Sequence, residues 1–152
     1  MESIKNPLLT NSLGFAGLLP FFAAAWGVYA NVPFGERSAS FLFLSYSVVI
    51  LSFLGGALWG KAKEIGESAV SRFLLIVSNI LALTAWTAIL LGEAFLSAGL
   101  AVSLIGFISV YLVEHKTQAI LLDDMGSAYL RFRLTLTTVV CFAHLLILAM
   151  IH

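Results

Sequence analysis

Long apolar runs, separated by short clusters of charged residues, form the dominant pattern of the chain. Five intervals contain no Lys, Arg, Asp or Glu: residues 6–35, 38–60, 73–92, 94–113 and 134–152. Each interval is long enough for a membrane-spanning α-helix, which needs about 20 apolar residues. The apolar residues run continuously and do not alternate with polar ones as barrel strands would. The pattern predicts an all-α, polytopic membrane helix bundle with five transmembrane helices.

The boundaries of these helices follow from the charged residues between them. The helices are expected at approximately residues 13–30, 40–60, 73–91, 95–113 and 134–151. Asn11 or Ser12 is the expected N-cap of the first helix. Pro20 is expected to kink that helix, because proline lacks a backbone N–H donor. The short connection at Gly92-Glu93 predicts an antiparallel hairpin of the third and fourth helices.

The composition agrees with a membrane protein and excludes a soluble domain. Of the 152 residues, 61% are hydrophobic and 11% are charged, whereas soluble domains average about 45–50% apolar and about 25% charged residues. We therefore expect a single integral membrane domain over residues 1–152. The net charge of zero gives no basic excess for binding nucleic acid, and the one cysteine, Cys141, cannot form an internal disulfide.

Candidate ligands for a metal or cofactor are sparse. Zinc sites built from Cys and His need closer, repeated spacing than this chain offers. A bis-histidine haem would need a second histidine at the depth of His144, but His115 and His152 lie at helix ends. The pair Asp123-Asp124, with Glu114 and His115, either binds a divalent ion or is simply solvated. We expect no metal site and no cofactor.

Basic residues are distributed unequally between the two sides of the predicted bundle. One side holds the N-terminus and the loops at residues 61–72 and 114–133. Seven of the eight Lys and Arg residues lie there, namely Lys5, Lys61, Lys63, Arg72, Lys116, Arg131 and Arg133. The other side holds Arg37. The positive-inside rule therefore predicts a cytoplasmic N-terminus and a C-terminus outside. If the protein is organellar, the membrane is the mitochondrial inner membrane and the matrix side takes the place of the cytoplasm.

A stripe of small and polar residues follows one face of the second predicted helix. Ser45, Ser52, Gly56 and either Trp59 or Gly60 recur at spacings of three, four and seven residues, which place them on the same face. Gly56 and Gly60 have the spacing of closely packed membrane helices. The stripe therefore either packs against a neighbouring helix or lines a ligand crevice. In the second case the candidate ligand-binding residues on this helix are Tyr46, Ser52, Gly56 and Trp59.

Polar residues inside the third and fifth predicted helices are further candidates. Asn79 and Trp86 are seven residues apart on one face, and an intramembrane Asn is expected to turn inward, where it bonds to another helix or contacts a ligand. His144 lies near the midplane, where an ionisable residue is a functional candidate. It either binds a ligand or bonds a Ser or Thr of another helix. Cys141, three residues before it, makes a nucleophile–base pair an alternative.

Two arginines precede the fifth predicted helix beside the bilayer. Arg131 and Arg133 flank Phe132. Basic residues at this position bind lipid phosphate or fix the topology of the chain. They are therefore candidate contacts for a lipid headgroup.

Three segments together resemble a known family. They are residues 13–21 (LGFAGLLPF), 52–60 (SFLGGALWG) and 129–135 (YLRFRLT). They resemble a family of short bacterial membrane proteins related to the mitochondrial transmembrane protein 69, which is a domain of unknown function. The resemblance covers nearly the whole chain, and its most specific part is the 52–60 segment. It implies a multi-pass inner-membrane protein and no particular activity.

The function expected from these observations is non-enzymatic. The protein is expected to be a small helix bundle that binds a lipid or another apolar molecule, or that assists a membrane complex. Its expected partners are membrane lipids, another membrane protein or a second copy of itself. A small-solute transporter or channel, with a water path past Asn79 and His144, is one alternative. An intramembrane enzyme that uses Cys141 and His144 is the other.

Overall fold

Helices make up the ordered framework of the protein. The computed structural model describes residues 7–33, 35–117 and 126–151, and these contain six helices and no β-strand. The helices are α1 (Pro7–Ala16), α2 (Leu19–Tyr29), α3 (Ala39–Ile65), α4 (Ala69–Ala94), α5 (Leu96–Lys116) and α6 (Gly126–Met150). Because α1 and α2 share one span, the described residues contain five segments that are long and apolar enough to cross a membrane. The predicted all-α architecture with five such segments is confirmed.

The first span is broken where it was predicted to be kinked. Pro20 lies in the first turn of α2, where no intrahelical donor is required of it. The break itself is at Gly17 and Leu18, between α1 and α2. The prediction of Asn11 or Ser12 as the N-cap was wrong, because α1 already begins at Pro7 and both residues lie inside it.

Helical structure continues through charged residues that were predicted to lie in loops. α3 includes Lys61 and ends at Ile65, where Gly66 has a φ of 76° that glycine tolerates best. α4 begins at Ala69 and α6 at Gly126, both before their predicted starts. Long basic side chains lay their stems along apolar surface while their charged heads reach outward. A charge near the end of a span therefore does not end the helix.

The central helix of the bundle is α3. It packs against α2, α4 and α5, while α6 packs against α5 and α2. The Tyr46 hydroxyl of α3 donates to the Gly17 carbonyl at the break of the first span, at 2.9 Å. The Ser71 hydroxyl of α4 donates to the Ala62 carbonyl of α3 at 2.7 Å. Hydrogen bonds between helices thus tie α3 to the neighbours on both sides.

The glycine of α3 that permits close packing is Gly55. A Cβ at this position would lie 3.1 Å from the Ser78 carbonyl of α4, whereas a Cβ at Gly56 or Gly60 would meet no atom within 4 Å. The predicted packing of Gly56 and Gly60 was therefore wrong. Successive helical residues point about 100° apart, so a one-residue error in register turns a stripe outward. The buried stripe of α3 includes Ser47, Leu51, Gly55, Leu58 and Ala62.

The helices α4 and α5 form a closely packed hairpin, which Phe95 alone connects. A Cβ at Gly99 would lie 2.5 Å from the Ala88 carbonyl oxygen and 2.8 Å from the Gly92 Cα. Both of these atoms belong to the backbone and cannot move aside as a side chain would. Gly99 therefore allows the two helices to approach as closely as they do.

We expect Gly99→Ala to lower the free energy of unfolding by about 1–3 kcal/mol, because it inserts a methyl group into a packed contact. Gly56→Ala is the matched control and should cost nothing, since its added methyl group enters open space. Thermal unfolding of both full-length variants in detergent measures the difference. Equal stability of the two variants would contradict the packing role of Gly99.

Candidate functional site

His144 lies at the centre of the bundle, inside a cage of aromatic rings. Its side chain is fully buried. The ring of Phe43 packs edge-on against it with a centroid distance of 4.8 Å. The rings of Phe107 and Phe21 lie at 5.5 and 6.3 Å. Three helices, α2, α3 and α5, thus enclose a histidine that α6 carries.

Both ring nitrogens of His144 have hydrogen-bond partners. Nδ1 lies 2.8 Å from the Val140 carbonyl, which can only accept, so Nδ1 carries the proton of the neutral ring. Nε2 is then an acceptor and receives the hydroxyl proton of Ser103, at 3.0 Å. The Ser103 Oγ also lies 3.0 Å from the Leu100 carbonyl, which competes for the same proton. The bond between Ser103 and His144 links α5 to α6 in the middle of the bundle.

This arrangement does not form the predicted pair of Cys141 and His144. Cys141 is half-buried on the same helix, but Val140 and Ser103 already occupy both nitrogens of the imidazole. Among the described residues, no group of three or more His, Cys, Asp or Glu side chains is arranged to hold a metal ion. The surroundings of His144 are those of a structural cross-link between two helices.

The other candidate ligand-binding residues do not converge on His144. Asn79 and Trp86 are exposed on the outer face of α4, and Asn79 Nδ2 donates to the Leu75 carbonyl of its own helix at 2.8 Å. The expectation that Asn79 turns inward was wrong, because the amide finds its acceptor one turn back. Ser52, Gly56 and Trp59 are exposed on α3. Tyr46 points into the bundle, where Phe21 touches both its ring and that of His144.

A second polar site lies where α5 ends and α6 begins. The Nε of Arg133 donates to the Glu114 carboxylate, with 2.7 Å between Nε and Oε2. The Tyr129 hydroxyl lies 3.5 Å from Oε1 of the same carboxylate. The Nζ of Lys61, from the end of α3, lies 5.0 Å from the centre of the Tyr129 ring. We call Lys61, Glu114, Tyr129 and Arg133 the basic cluster.

Within the basic cluster, positively charged side chains outnumber negatively charged ones. It combines two cations with one carboxylate. The Nζ of Lys61 and the Nη2 of Arg133 are both buried and have no hydrogen-bond partner among the residues that the structure describes. A buried charged donor without an acceptor costs more free energy than a neutral one. These two donors are therefore left unsatisfied by the residues that the structure describes.

An apolar groove begins at the basic cluster. It lies between the first span, α3 and α6, has a volume of about 160 Å³, and includes Leu18, Leu54, Thr137 and Val140 in its lining. Among the described residues of that lining, Arg133 is the one with a charged side chain. Phe53 also lines the groove and is 69% exposed on the outer surface. The groove therefore opens sideways, toward the surface that faces lipid in a membrane.

The predicted headgroup residues differ in their surroundings. Arg131 is exposed, whereas Arg133 is buried in its pair with Glu114. The sequence interpretation missed the roles of Lys61, Glu114 and Tyr129. The signal available for Glu114 and Arg133 was their position at the facing ends of consecutive spans, which puts them at the same membrane surface. Asp123-Asp124, the suggested ion-binding pair, lies outside the described residues.

The fold is all-helical, with five segments among the described residues that are long and apolar enough to cross a membrane, and is compatible with a membrane protein. The chain belongs to the DUF3429 family, described as a protein of unknown function, which it matches over residues 6–149. The resemblance to a family of unknown function is confirmed, and the relation to the mitochondrial transmembrane protein 69 stays a prediction. No curated protein and no solved structure matches the chain significantly.

We expect Ser103→Ala to lower the free energy of unfolding by about 1–3 kcal/mol, because the buried Nε2 of His144 loses its partner. Ser109→Ala, on the same helix, is the control. Ser109 is partly exposed, and its hydroxyl donates to the Ile105 carbonyl of its own helix. Thermal unfolding in detergent compares them, and an equally small effect of both substitutions would rule out the cross-link.

We expect Glu114→Gln to lower the free energy of unfolding by about 3–5 kcal/mol, because it leaves buried cations without their carboxylate. Glu93→Gln removes the same charge from an exposed position on α4 and should have little effect. Chemical unfolding of the detergent-solubilised protein measures both. If the two substitutions cost the same, the ion pair between Glu114 and Arg133 contributes nothing specific.

Proposed function

We propose that this protein is a non-enzymatic lipid-binding protein of the bacterial inner membrane. Its lateral groove takes up one hydrocarbon chain of a membrane amphiphile. The observation that carries the proposal is the groove itself, which is apolar, opens toward lipid and, among the described residues, has Arg133 as its one charged lining residue. The described residues of its lining are apolar side chains, glycines, Thr137 and Arg133, which include no pair of a nucleophile and a base.

The size and chemistry of the groove suit a hydrocarbon. A cavity of about 150 Å³ lined by Leu, Ile and Phe stays dry and binds benzene-sized apolar molecules. This groove has about 160 Å³ and a comparable lining, including Phe21, Ile50 and Leu136. Water inside it would find few hydrogen-bond partners. The end of an acyl chain or a similarly narrow apolar group would fill it.

The same position gives the bound molecule a direction. Thr137 and Val140 follow Arg133 along α6, and the two ends of this segment are about 10 Å apart at 1.5 Å per residue. Under the positive-inside rule, the end that carries Lys61 and Arg133 faces the cytoplasm. The bound amphiphile would therefore belong to the cytoplasmic leaflet, with its chain directed toward the membrane centre.

The alternatives have less support. A transport path past Asn79 and His144 would require the two residues to line one passage, but Asn79 is exposed on α4 and His144 is enclosed by phenylalanines. An intramembrane enzyme would require a free base beside Cys141, and His144 has its nitrogens occupied. Lipid binding, in contrast, requires an apolar groove that opens toward lipid, and the groove beside Arg133 has this form.

We expect Thr137→Phe to reduce lipid retention, because the added ring would occupy the groove. Thr138→Phe is the matched control, since Thr138 is the next residue on α6 but is exposed and does not line the groove. Native mass spectrometry of the detergent-solubilised protein measures the fraction that retains a lipid. We expect this fraction to fall about tenfold for Thr137→Phe, equivalent to about 1.4 kcal/mol. Equal retention by both variants would contradict the proposal.

A further inference from the structure

We propose that the basic cluster is a headgroup site, and that the amphiphile in the groove is an anionic phospholipid whose phosphate binds Arg133 and Lys61. The inference rests on the proposed function, because the chain-binding groove and the headgroup site would hold the same molecule. Lys61 and Arg133 would then select an anionic phospholipid among the lipids that the groove can hold.

The first observation is the incomplete pairing of Arg133. Its guanidinium group offers five N–H donors in a planar fork that matches carboxylate or phosphate. Glu114 engages the Nε end of this fork. The Nη2 atom remains without a partner among the described residues, although Arg133 is only 8% exposed. An arginine buried this deeply normally has its donors satisfied.

The second observation is Lys61, which has no hydrogen-bond partner among the residues that the structure describes. Its Nζ is buried and lies over the Tyr129 ring. The Tyr129 hydroxyl in turn points to the carboxylate that holds Arg133. Glu114 bonds to Arg133, and Glu64 is a second carboxylate that acts on Lys61, but neither accepts a hydrogen bond from the Lys61 Nζ. A single phosphate has several acceptor oxygens and would compensate the excess positive charge while satisfying donors on two helices.

The third observation is the continuity of the two features. Arg133 belongs both to the basic cluster and to the lining of the groove. A molecule whose charge lies at Arg133 can therefore place its chain along Thr137 and Val140 without leaving the protein surface. This geometry fits a phospholipid, whereas free inorganic phosphate would use the cluster but leave the groove empty.

The groove alone would not choose between lipids. Lipid tails are as apolar as the side chains that line it, so the hydrophobic effect gives no preference for one tail over another. Basic residues near the membrane surface attract anionic lipids. Selection must therefore come from the charged end, and Lys61 is the residue to test because its removal leaves the pair of Arg133 and Glu114 in place.

The test uses the full-length, delipidated protein in a neutral detergent. Phosphatidylglycerol and phosphatidylcholine with identical acyl chains are titrated separately, and bound lipid is counted by native mass spectrometry. The wild type is expected to bind phosphatidylglycerol about fivefold more tightly, or better, from the attraction of each basic residue. Lys61→Gln should abolish this preference. Lys63→Gln, an exposed position two residues further along α3, should keep it.

Two further arms identify the anion. Inorganic phosphate at millimolar concentration should not displace phosphatidylglycerol; displacement would overturn the lipid assignment. The variant Asp123→Asn/Asp124→Asn should bind phosphatidylglycerol as the wild type does. If the wild type shows no preference for phosphatidylglycerol and the Asp123→Asn/Asp124→Asn variant does, these two carboxylates compete with the lipid for the cluster. The inference would then be wrong.

The outcomes also separate this inference from the proposed function. If both lipids bind equally and Thr137→Phe removes both, the groove binds a chain but the headgroup site does not exist. If Thr137→Phe leaves the binding of both lipids unchanged, the proposed function itself fails. Preference for phosphatidylglycerol that depends on Lys61, together with binding that depends on Thr137, supports the two together.

Discussion

Close approach between helices is the constraint on which the rest of this structure depends. In a bilayer there is no hydrophobic driving force between helices, so their association relies on van der Waals packing and interhelical hydrogen bonds. Gly99 allows α4 and α5 to meet backbone to backbone. Ser71 then bonds α4 to the Ala62 carbonyl of α3, and Ser103 bonds α5 to His144 of α6. The aromatic cage and the basic cluster are both held in place by this packing.

The number of spans could be predicted from the sequence, but the buried face of each span could not. Charged residues mark the ends of spans, because burying them in hydrocarbon is costly. In a helix of a soluble protein, polar residues mark the exposed face, and the opposite, apolar face is the buried one. Here the lipid-facing and protein-facing surfaces are both apolar, so Gly55 and Gly56 have no local feature that separates them. The three-dimensional packing against Ser78 decides between them.

In the candidate sites too, some residues could be identified from the sequence and others only from the packing of the helices. His144 could be identified from sequence, because an ionisable residue within a long apolar run is conspicuous. Its partner Ser103 could not, since several serines lie at suitable depths and only the packing of α5 on α6 selects one. Lys61 was interpreted as a topological signal in a loop. Its burial against Tyr129 depends on the continuation of α3 beyond Gly60, which a charge count does not reveal.

In the proposed lipid site, the groove binds the hydrocarbon chain and the basic cluster binds the headgroup. A groove in lipid is always filled by some chain, so its shape determines where a chain lies and not which lipid supplies it. The excess charge of Lys61 and Arg133 over Glu114 acts on the headgroup, which differs between lipids. Because Arg133 belongs to both features, a lipid bound by its charge is also aligned along α6. In this proposal, discrimination therefore depends on the end of the groove that the bilayer surface reaches first.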